Sequence, residues 1–359
     1  MTVGPRDALR LFRAQTAAVE GAGFPLAAWV GGAPLWTLPV FALLGVLCHF
    51  AGFGENSLTD IAYDRLDPAK ADHPVVAGRV SLRSGWTLVA ALQIAGIVLM
   101  ISLVGVSRAW VALAPFAGYI LLGHAYNFLG KRNKPLAVLE ISGAFALAFL
   151  ASALAWGRAP GVLVWAVVVY AFAMTAFQIA VAGETKELAQ ANEGNILRRL
   201  GARIEPPVPV LAGLLKAARE GGAVVTVTES GAGLTADWLF PGVRASLFAY
   251  GLAGGKALAL GVVAWAVAGP PWGIVVGWAS YIVFSFYALH LLRPGPFDRP
   301  RRVRIMGLGE ATSYLLLVLA LVPALWPWLW VAFIVLPVLW FTVLNRALWS
   351  TGSAWAPGV

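Results

Sequence analysis

Three polar side chains at a spacing of four residues, Asn56, Asp60 and Asp64, give the strongest chemical signal in the sequence. They follow an apolar run, so a helix that continues past the run projects all three from one face, one turn apart. Asp67 adds a fourth acid near the same stripe, and Pro68 limits the helix. Carboxylates this close repel one another unless a positive group lies between them. The stripe therefore predicts a cation site.

Mg²⁺ is the cation that suits these residues, because it is commonly held by one or two carboxylates, with substrate phosphates and waters as further ligands. Such a site at the end of an apolar helix fits a substrate with a diphosphate head and a hydrocarbon tail. The alternative is a solvated loop in which the acids pair with Arg65, Lys70 and Arg79. The regular four-residue spacing favours the metal site.

The composition predicts a membrane protein. The 359 residues are 60% hydrophobic and 12% charged, with a mean hydropathy of +0.78. A soluble domain of this length could not bury so much apolar surface. We expect an all-α polytopic membrane protein, a bundle of nine or ten transmembrane helices around a central cavity open to the cytoplasmic side. The expected spans lie near 12–30, 36–57, 83–104, 108–128, 137–156, 161–182, 243–267, 271–292, 304–323 and 326–347.

Charge placement predicts the orientation of these spans. All of the 26 Lys and Arg residues except Arg108, Arg158 and Lys256 lie in the N-terminal segment, in loops after even-numbered spans, or at the end of the last span. The positive-inside rule then places the N-terminus and those loops in the cytoplasm. The net charge of +9 therefore needs no nucleic-acid partner. The single cysteine, Cys48, excludes a disulfide framework and a cysteine metal site.

A single membrane domain is expected over residues 1–359, with one long cytoplasmic loop at 183–242. That loop is a candidate lid or an inert insertion. Polar side chains inside spans are costly and usually functional. Lys256 and Glu310 are interpreted as an internal ion pair, whereas His49 is interpreted as a core histidine.

The stripe resembles the first motif of the UbiA superfamily of intramembrane prenyltransferases, N-D-x-x-D-x-x-x-D followed by RP…GR(I/V)S. This chain has NSLTDIAYD and then HPVVAGRVS. Asn56, Asp60 and Asp64 match the motif, and Ser57 stands in place of its first aspartate. The resemblance implies that these three matching residues bind Mg²⁺ and that Asn56 and nearby arginines bind a prenyl diphosphate; the arginines are Arg65 and Arg79.

Two further stretches resemble later landmarks of the superfamily. After span 4, HAYNFLGKRNKP approximates a Y-x-x-x-K pattern. The resemblance implies that Tyr126 and Lys131 act with the stripe in catalysis and that Lys131 and Arg132 bind the diphosphate. Lys134 is assigned to the ordinary positive-inside cluster.

The second acidic motif, D-x-x-x-D in the superfamily, corresponds here to AGETKELAQANEGN after span 6, which contains no aspartate. Glu184 and Glu187 are the expected metal ligands in its place. The longer glutamate side chain changes the reach of the carboxylate. A second metal ion would then be held either by these glutamates or mainly by substrate oxygens.

The resemblance implies an enzyme that ionises an isoprenoid diphosphate and transfers the prenyl group to an aromatic or otherwise lipophilic acceptor. Cyclisation of the prenyl chain without an acceptor, as in the terpene cyclases of the superfamily, is the alternative. A transporter or a non-catalytic membrane protein is a third reading, which would use Lys256, Glu310 and Asp60 as coupling charges.

Overall fold

The apolar runs become helices, because a helix satisfies its own backbone hydrogen bonds where lipid cannot. The computed structural model describes residues 3–65, 70–130, 133–157, 159–188, 194–205 and 237–348. We number ten bundle helices in chain order: α1 (Ala18–Val30), α2 (Leu38–Thr59), α3 (Leu82–Ser107), α4 (Leu113–Phe128), α5 (Lys134–Leu154), α6 (Val162–Phe177), α7 (Val243–Ala268), α8 (Pro270–Leu291), α9 (Arg299–Leu321) and α10 (Leu336–Leu348).

In the described part of the chain, eight helices are long and apolar enough to cross a membrane. The two remaining expected spans correspond to α1, with 13 residues, and α4, with 16 residues. Large apolar side chains such as Ile94, Val98 and Ile282 are exposed on the outer faces. The all-α polytopic fold is thus confirmed and the chain is an integral multi-pass membrane protein. The number of spans and the side on which a cavity opens stay predictions.

Short elements interrupt or precede the bundle helices. The N-terminal segment contains the helix Pro5–Leu11 and the 3₁₀ turn Ala14–Ala17. A π-helix, Gln178–Gly183, extends α6 and leads into the short helix Glu184–Lys186. The other short helical elements are Leu35–Thr37, Ile61–Asp64, Trp110–Ala112, Ile196–Arg199, Val322–Ala324, Pro327–Trp330 and the π-helix Val331–Val335.

Side-chain caps fix the starts of two long helices. The Ser81 hydroxyl accepts a hydrogen bond from the Ser84 amide at 3.1 Å, which starts α3. The Asp298 carboxylate accepts one from the Arg301 amide at 2.9 Å, which starts α9. Each cap satisfies a backbone donor that the helix leaves without a partner and contributes about 1 kcal/mol.

Small residues let the helices pack closely. Along α7, buried alanines recur every fourth residue and form a stripe: Ala245, Ala249, Ala253 and Ala257. Farther along, a Cβ at Gly273 of α8 would lie 2.9 Å from the Gly261 carbonyl oxygen. Because lipid supplies no hydrophobic drive for helix association, such close backbone contact is a main source of packing energy.

Gly45 sets the approach of α1 to α2. A Cβ at this position would overlap the backbone carbonyl of Glu20, so only glycine allows the contact. His49 lies one helical turn after Gly45 on the same face of α2. The close approach therefore delivers the Glu20 side chain to His49, whose Nδ1 lies 2.8 Å from Glu20 Oε2.

The last bundle helix packs against the N-terminal segment. α10 contacts the turn Ala14–Ala17 and α1. The Trp340 indole donates a hydrogen bond to the Ala14 carbonyl at 2.7 Å. The beginning and the end of the described chain are thus held together on one side of the bundle.

A small antiparallel sheet joins two loops outside the bundle. The strands are β1 (Arg203–Glu205), β2 (Trp238–Phe240) and β3 (Gly295–Pro296), in the order β1-β2-β3. Ile204 pairs with Leu239, which in turn pairs with Gly295. The sheet ties the connection between α6 and α7 to the connection between α8 and α9. Most of the expected lid at 183–242 lies outside the described residues.

Candidate functional site

The stripe of Asn56, Asp60 and Asp64 forms at the end of α2. The Asp60 amide donates to the Asn56 carbonyl at 3.0 Å, and the Asp64 amide donates to the Asp60 carbonyl at 2.9 Å. The helical period therefore continues from α2 into the short helix Ile61–Asp64. All three side chains are half-buried on one face.

Ser57 is turned away from this stripe. Its side chain is buried, and its hydroxyl donates to the Leu11 carbonyl at 3.2 Å. The position at which the motif has its first aspartate thus anchors the helix Pro5–Leu11 against α2. The stripe consequently consists of one amide and two carboxylates.

Glu55 pins α4 against α2 beside the stripe. Its carboxylate lies 2.8 Å from His124 Nδ1 and accepts a hydrogen bond from the Asn127 amide at 3.2 Å. Gln93 of α3 contacts the other ring nitrogen of His124 at 2.9 Å. Tyr126 lies between His124 and Asn127 in α4 and interacts electrostatically with Asp60 and with Glu187. Tyr126 therefore lies near both acidic motifs, and its catalytic role stays a prediction.

The second acidic motif is held by a lysine from α5. Lys134 Nζ lies 3.4 Å from Glu184 Oε1 and 3.0 Å from Glu187 Oε2. Glu184 is buried, and its other oxygen accepts a hydrogen bond from the Ile196 amide at 2.8 Å. Asn195 donates to the Glu184 carbonyl at 2.8 Å. The sequence assigned Lys134 only to the topological cluster, whereas the structure places it between both glutamates.

Several cations lie close to these carboxylates. Burial raises the pKa of Glu187, but Lys186 and Lys134 outweigh this effect and leave the pKa below its ordinary value. Lys70 Nζ lies 3.4 Å from Asp64 Oδ1. Burial and the nearby Arg13 guanidinium lower the pKa of Lys70, against the opposing effects of Asp64 and Asp60. We call this combination of two acidic motifs and surrounding cations the acidic end of the bundle.

Arg13 is a member of this site that the sequence did not reveal. It adopts a left-handed backbone conformation with φ of 48°, which costs an L-residue about 1–2 kcal/mol. Its guanidinium carbon lies 5.5 Å from the centre of the Phe53 ring, and it interacts electrostatically with Lys70 and Tyr126. Non-glycine residues held in this conformation cluster at functional sites. The only sequence signal was a basic N-terminal segment, which membrane topology already explained.

The remaining predicted diphosphate ligands lie apart or outside the described residues. Arg79 pairs with Asp7 at 3.0 Å and with Asp72 at 3.0 Å, and Asp72 also pairs with Arg10 at 2.6 Å. Arg65 is exposed. Lys131 and Arg132 lie outside the described residues, so their roles stay predictions.

His73 is buried among these cations. Burial is the first cause that lowers its pKa to about 3, and the charges of Arg13, Lys70 and Arg10 add to it. Both ring nitrogens are buried with no hydrogen-bond partner within the described part of the chain. The folded protein therefore holds this imidazole neutral, whereas the unfolded chain protonates it near its ordinary pKa of about 6.5.

We expect acid to destabilise the protein through His73. The stabilising contribution is complete above pH 6.5 and is lost as the pH falls from 6.5 towards 3, because only the unfolded chain binds the proton. At about pH 5 the loss is on the order of 2 kcal/mol. Thermal unfolding in lipid nanodiscs at about pH 7.5 and pH 5 measures it. His73→Gln should show a smaller difference between the two pH values, and an equal difference would contradict the assignment.

The donor set fits Mg²⁺ only together with a substrate. In the part of the chain that the structure describes, no three His, Cys, Asp or Glu side chains converge as a metal site by themselves. Each acidic motif instead offers one or two carboxylates, with lysines beside them. Mg²⁺ is typically bound by one or two carboxylates with substrate phosphates and waters completing the octahedron. The lysines and Arg13 would then contact the phosphate oxygens.

Comparison with known proteins identifies relatives of both sequence and fold. Residues 21–191 match the family model of the UbiA prenyltransferase family. Protoheme IX farnesyltransferase of Azotobacter vinelandii is 32% identical over 101 residues, 28% of this chain and 33% of that protein. Protoheme IX farnesyltransferase 1 of Shewanella woodyi is 34% identical over 97 residues, 27% of this chain and 32% of that protein. The matched segment thus spans about a third of these curated relatives.

Solved structures match over nearly the whole chain. Digeranylgeranylglyceryl phosphate synthase superposes with a TM-score of 0.57 at 16% identity, over 89% of this chain and 97% of that chain. A UbiA homologue from Archaeoglobus fulgidus bound to DMAPP and Mg²⁺ gives 0.54 at 16% identity, over 87% and 99%. A UbiA homologue from Aeropyrum pernix K1 gives 0.57 at 19% identity, over 86% and 98%. At these identities the likeness shows the fold.

Proposed function

Because the chain carries the UbiA prenyltransferase family match over residues 21–191 and the UbiA-type fold over nearly its whole length, we propose that it is a Mg²⁺-dependent intramembrane prenyltransferase. It ionises an isoprenoid diphosphate and transfers the prenyl group to a lipophilic acceptor. One observation carries the proposal: two acidic motifs from α2 and α6 meet basic side chains at one end of the bundle. The Archaeoglobus fulgidus homologue of the same fold binds DMAPP and Mg²⁺.

Each acidic motif at the acidic end would bind one metal ion. Asp60 and Asp64, with the Asn56 amide, would hold one Mg²⁺, and Glu184 and Glu187 a second. When bound, Mg²⁺ neutralises the charge that develops on the departing diphosphate. Glutamates in place of aspartates place these carboxylates one methylene farther from the backbone. Oxygens of the substrate diphosphate would supply further ligands that these carboxylates leave open.

The cations orient the diphosphate and stabilise its departure. Lys70 and Arg13 face the first motif, and Lys134 and Lys186 face the second. As the C1–O bond breaks, the electron pair leaves with the diphosphate oxygen, and these side chains donate charge-assisted hydrogen bonds to it. Tyr126, near both motifs, is placed to donate a further hydrogen bond. The prenyl chain then lies in the apolar bundle, where water is excluded.

For the acceptor we propose a chemical class. The named relatives are protoheme IX farnesyltransferases, so a farnesyl donor and a haem-like acceptor are the first pair to test. An aromatic or alcohol acceptor is the second class. A chain that cyclises without any acceptor would make the protein a terpene cyclase, and product analysis decides between these outcomes.

We expect Mg²⁺ removal to abolish diphosphate release. The purified protein in nanodiscs would be given C10, C15 or C20 prenyl diphosphate, with or without protohaem or 4-hydroxybenzoate. Diphosphate release should require Mg²⁺ and fall to the background rate with EDTA, because the acidic motifs would otherwise repel the diphosphate. Addition of excess Mg²⁺ should restore it. Absence of release with every donor and acceptor would refute the enzyme assignment.

A further inference from the structure

A second group of polar side chains lies deeper in the bundle than the stripe, and we call it the inner polar layer. Five elements contribute one residue each: Glu20, His49, Gln178, Lys256 and Glu310. His49 precedes Asn56 by two helical turns, which places it about 10 Å deeper along α2. Glu310 interacts electrostatically with Glu20, His49 and Lys256. Polar side chains at such depth are costly and mark function.

Contacts with neighbouring side chains hold Lys256 in place. Its ammonium donates to the Ser313 hydroxyl and lies 3.9 Å from the centre of the Phe284 ring and 5.1 Å from that of Phe177. The ion pair that the sequence suggested with Glu310 is replaced by these contacts, although the two charges still interact. Aromatic faces and a hydroxyl thus stabilise the ammonium where it is.

His49 and Glu20 are engaged with each other and with the N-terminal turn. The Thr16 hydroxyl donates to the Arg13 carbonyl at 2.8 Å, so at 3.2 Å it accepts a hydrogen bond from His49 Nε2. Nε2 therefore carries a proton. The other nitrogen, Nδ1, lies 2.8 Å from Glu20 Oε2, at an angle poorer than that of a hydrogen bond. Both residues are therefore occupied by these contacts within the inner polar layer.

Glu310 is the member of the inner polar layer with capacity to accept a proton. Its Oε2 accepts one hydrogen bond from the Gln178 amide at 3.2 Å, and Gln178 also donates to the Met306 carbonyl at 3.4 Å. Gln178 begins the π-helix, a local widening of the helix that often accompanies functional sites. A carboxylate has about four lone-pair positions, and this bond uses one. The side chain is half-buried and not sealed within the core.

We propose that Glu310 is the catalytic residue that accepts the proton which completes the reaction, with Gln178 as the positioning residue. The inference rests on the proposed function. Prenyl transfer to a C–H or O–H acceptor forms the new bond to C1 and releases one proton. The electron pair of the broken C–H or O–H bond stays with the acceptor. Without an acceptor, a carbon next to the cation loses the proton and a conjugated hydrocarbon forms. Either route needs a base inside the dry bundle.

The charged groups that face Glu310 are consistent with this role. Lys256 and Lys186 are the lysines that interact electrostatically with Glu310, and Glu20 and His49 are its other titratable neighbours. After the reaction, the neutral acid is less costly in the apolar bundle than the carboxylate was. The proton then leaves towards the acidic end, from which the substrate enters.

The test is the partition of products from farnesyl diphosphate. Unchanged protein, Glu310→Gln and Glu140→Gln are compared in nanodiscs with Mg²⁺, with and without protohaem. Diphosphate, farnesol, farnesene-type hydrocarbons and prenylated acceptor are measured for each. Glu140 is a buried carboxylate of α5 outside the inner polar layer and is the matched control. Glu310→Gln keeps the shape and the hydrogen bond with Gln178 and removes only the base.

We expect Glu310→Gln to keep diphosphate release within a few-fold and to lower the ratio of hydrocarbon and prenylated acceptor to farnesol at least ten-fold. Without the base, the cation persists until water from the acidic end captures it and passes the extra proton to bulk solvent. Glu140→Gln should leave the ratio unchanged. An unaltered ratio in Glu310→Gln would overturn the inference and leave the proposed function standing. Absence of diphosphate release by the unchanged protein under both conditions would overturn the proposed function, and this inference with it.

Discussion

Asp60→Asn and Asp64→Asn should each lower Mg²⁺-dependent diphosphate release by about 10²–10³-fold, the size typical of removing one preorganised electrostatic contact to a transition state. Both substitutions keep the side-chain shape and the helical hydrogen bonds that join Asn56, Asp60 and Asp64. They remove the negative charge that a cation needs. The release rate from farnesyl diphosphate at saturating Mg²⁺ measures the effect.

Asp72→Asn is the matched control for this prediction. Its side chain is 76% exposed and lies outside both acidic motifs, and its partners are the buried Arg10 and the exposed Arg79. The substitution leaves both motifs unchanged, so we expect release within two-fold of the unchanged protein. Normal release by both Asp60→Asn and Asp64→Asn would mean that the stripe does not bind the metal and that the chemistry lies elsewhere.

Lys134→Met should lower the free energy of unfolding by about 3 kcal/mol, because it leaves carboxylates without their shared cation at a partly buried site. Lys134 lies 3.4 Å from Glu184 and 3.0 Å from Glu187, and the Glu184 side chain is only 4% exposed. Thermal and denaturant unfolding in a mild detergent, followed by tryptophan fluorescence, measures the loss.

A second substitution separates charge from packing. Adding Glu184→Gln to Lys134→Met should recover most of the lost stability, since the buried charge is then removed. Arg203→Met is the control, because Arg203 and Glu205 form an exposed pair at 3.0 Å, which we expect to contribute under about 1 kcal/mol. A Lys134→Met protein as stable as the control would show that the ion pairs do not support this end of the bundle.

Local periodicity explains what the sequence could predict. A four-residue spacing after an apolar run places Asn56, Asp60 and Asp64 on one helical face whatever the rest of the chain does. The apolar spans follow from length and hydropathy alone, and the helices match them closely. The exceptions are α1 and α4, which have 13 and 16 residues and are shorter than the apolar runs.

Contacts between distant helices explain what the sequence could not predict. Lys134 pairs with Glu187, 53 positions away, and Arg79 pairs with Asp7, 72 positions away. The positive-inside rule already explains a basic residue after an even-numbered span, so its presence does not indicate a second role. The partner of His49 could not be predicted either, because Glu20 reaches it only through the close approach of α1 to α2 at Gly45. The sequence gives the sign of each charge, but which charges pair depends on how the helices pack.

The contact between α10 and the N-terminal segment has a consequence for biogenesis. Trp340 and Ala14 are 326 positions apart. At ribosomal speeds of about 5–20 residues per second, roughly 15–65 s pass between the synthesis of the two partners. During that interval Arg13, the neighbour of Ala14, has no α10 to hold its segment in place. The turn Ala14–Ala17, which follows Arg13, therefore gains its contact with α10 only after the last described helix has been synthesised.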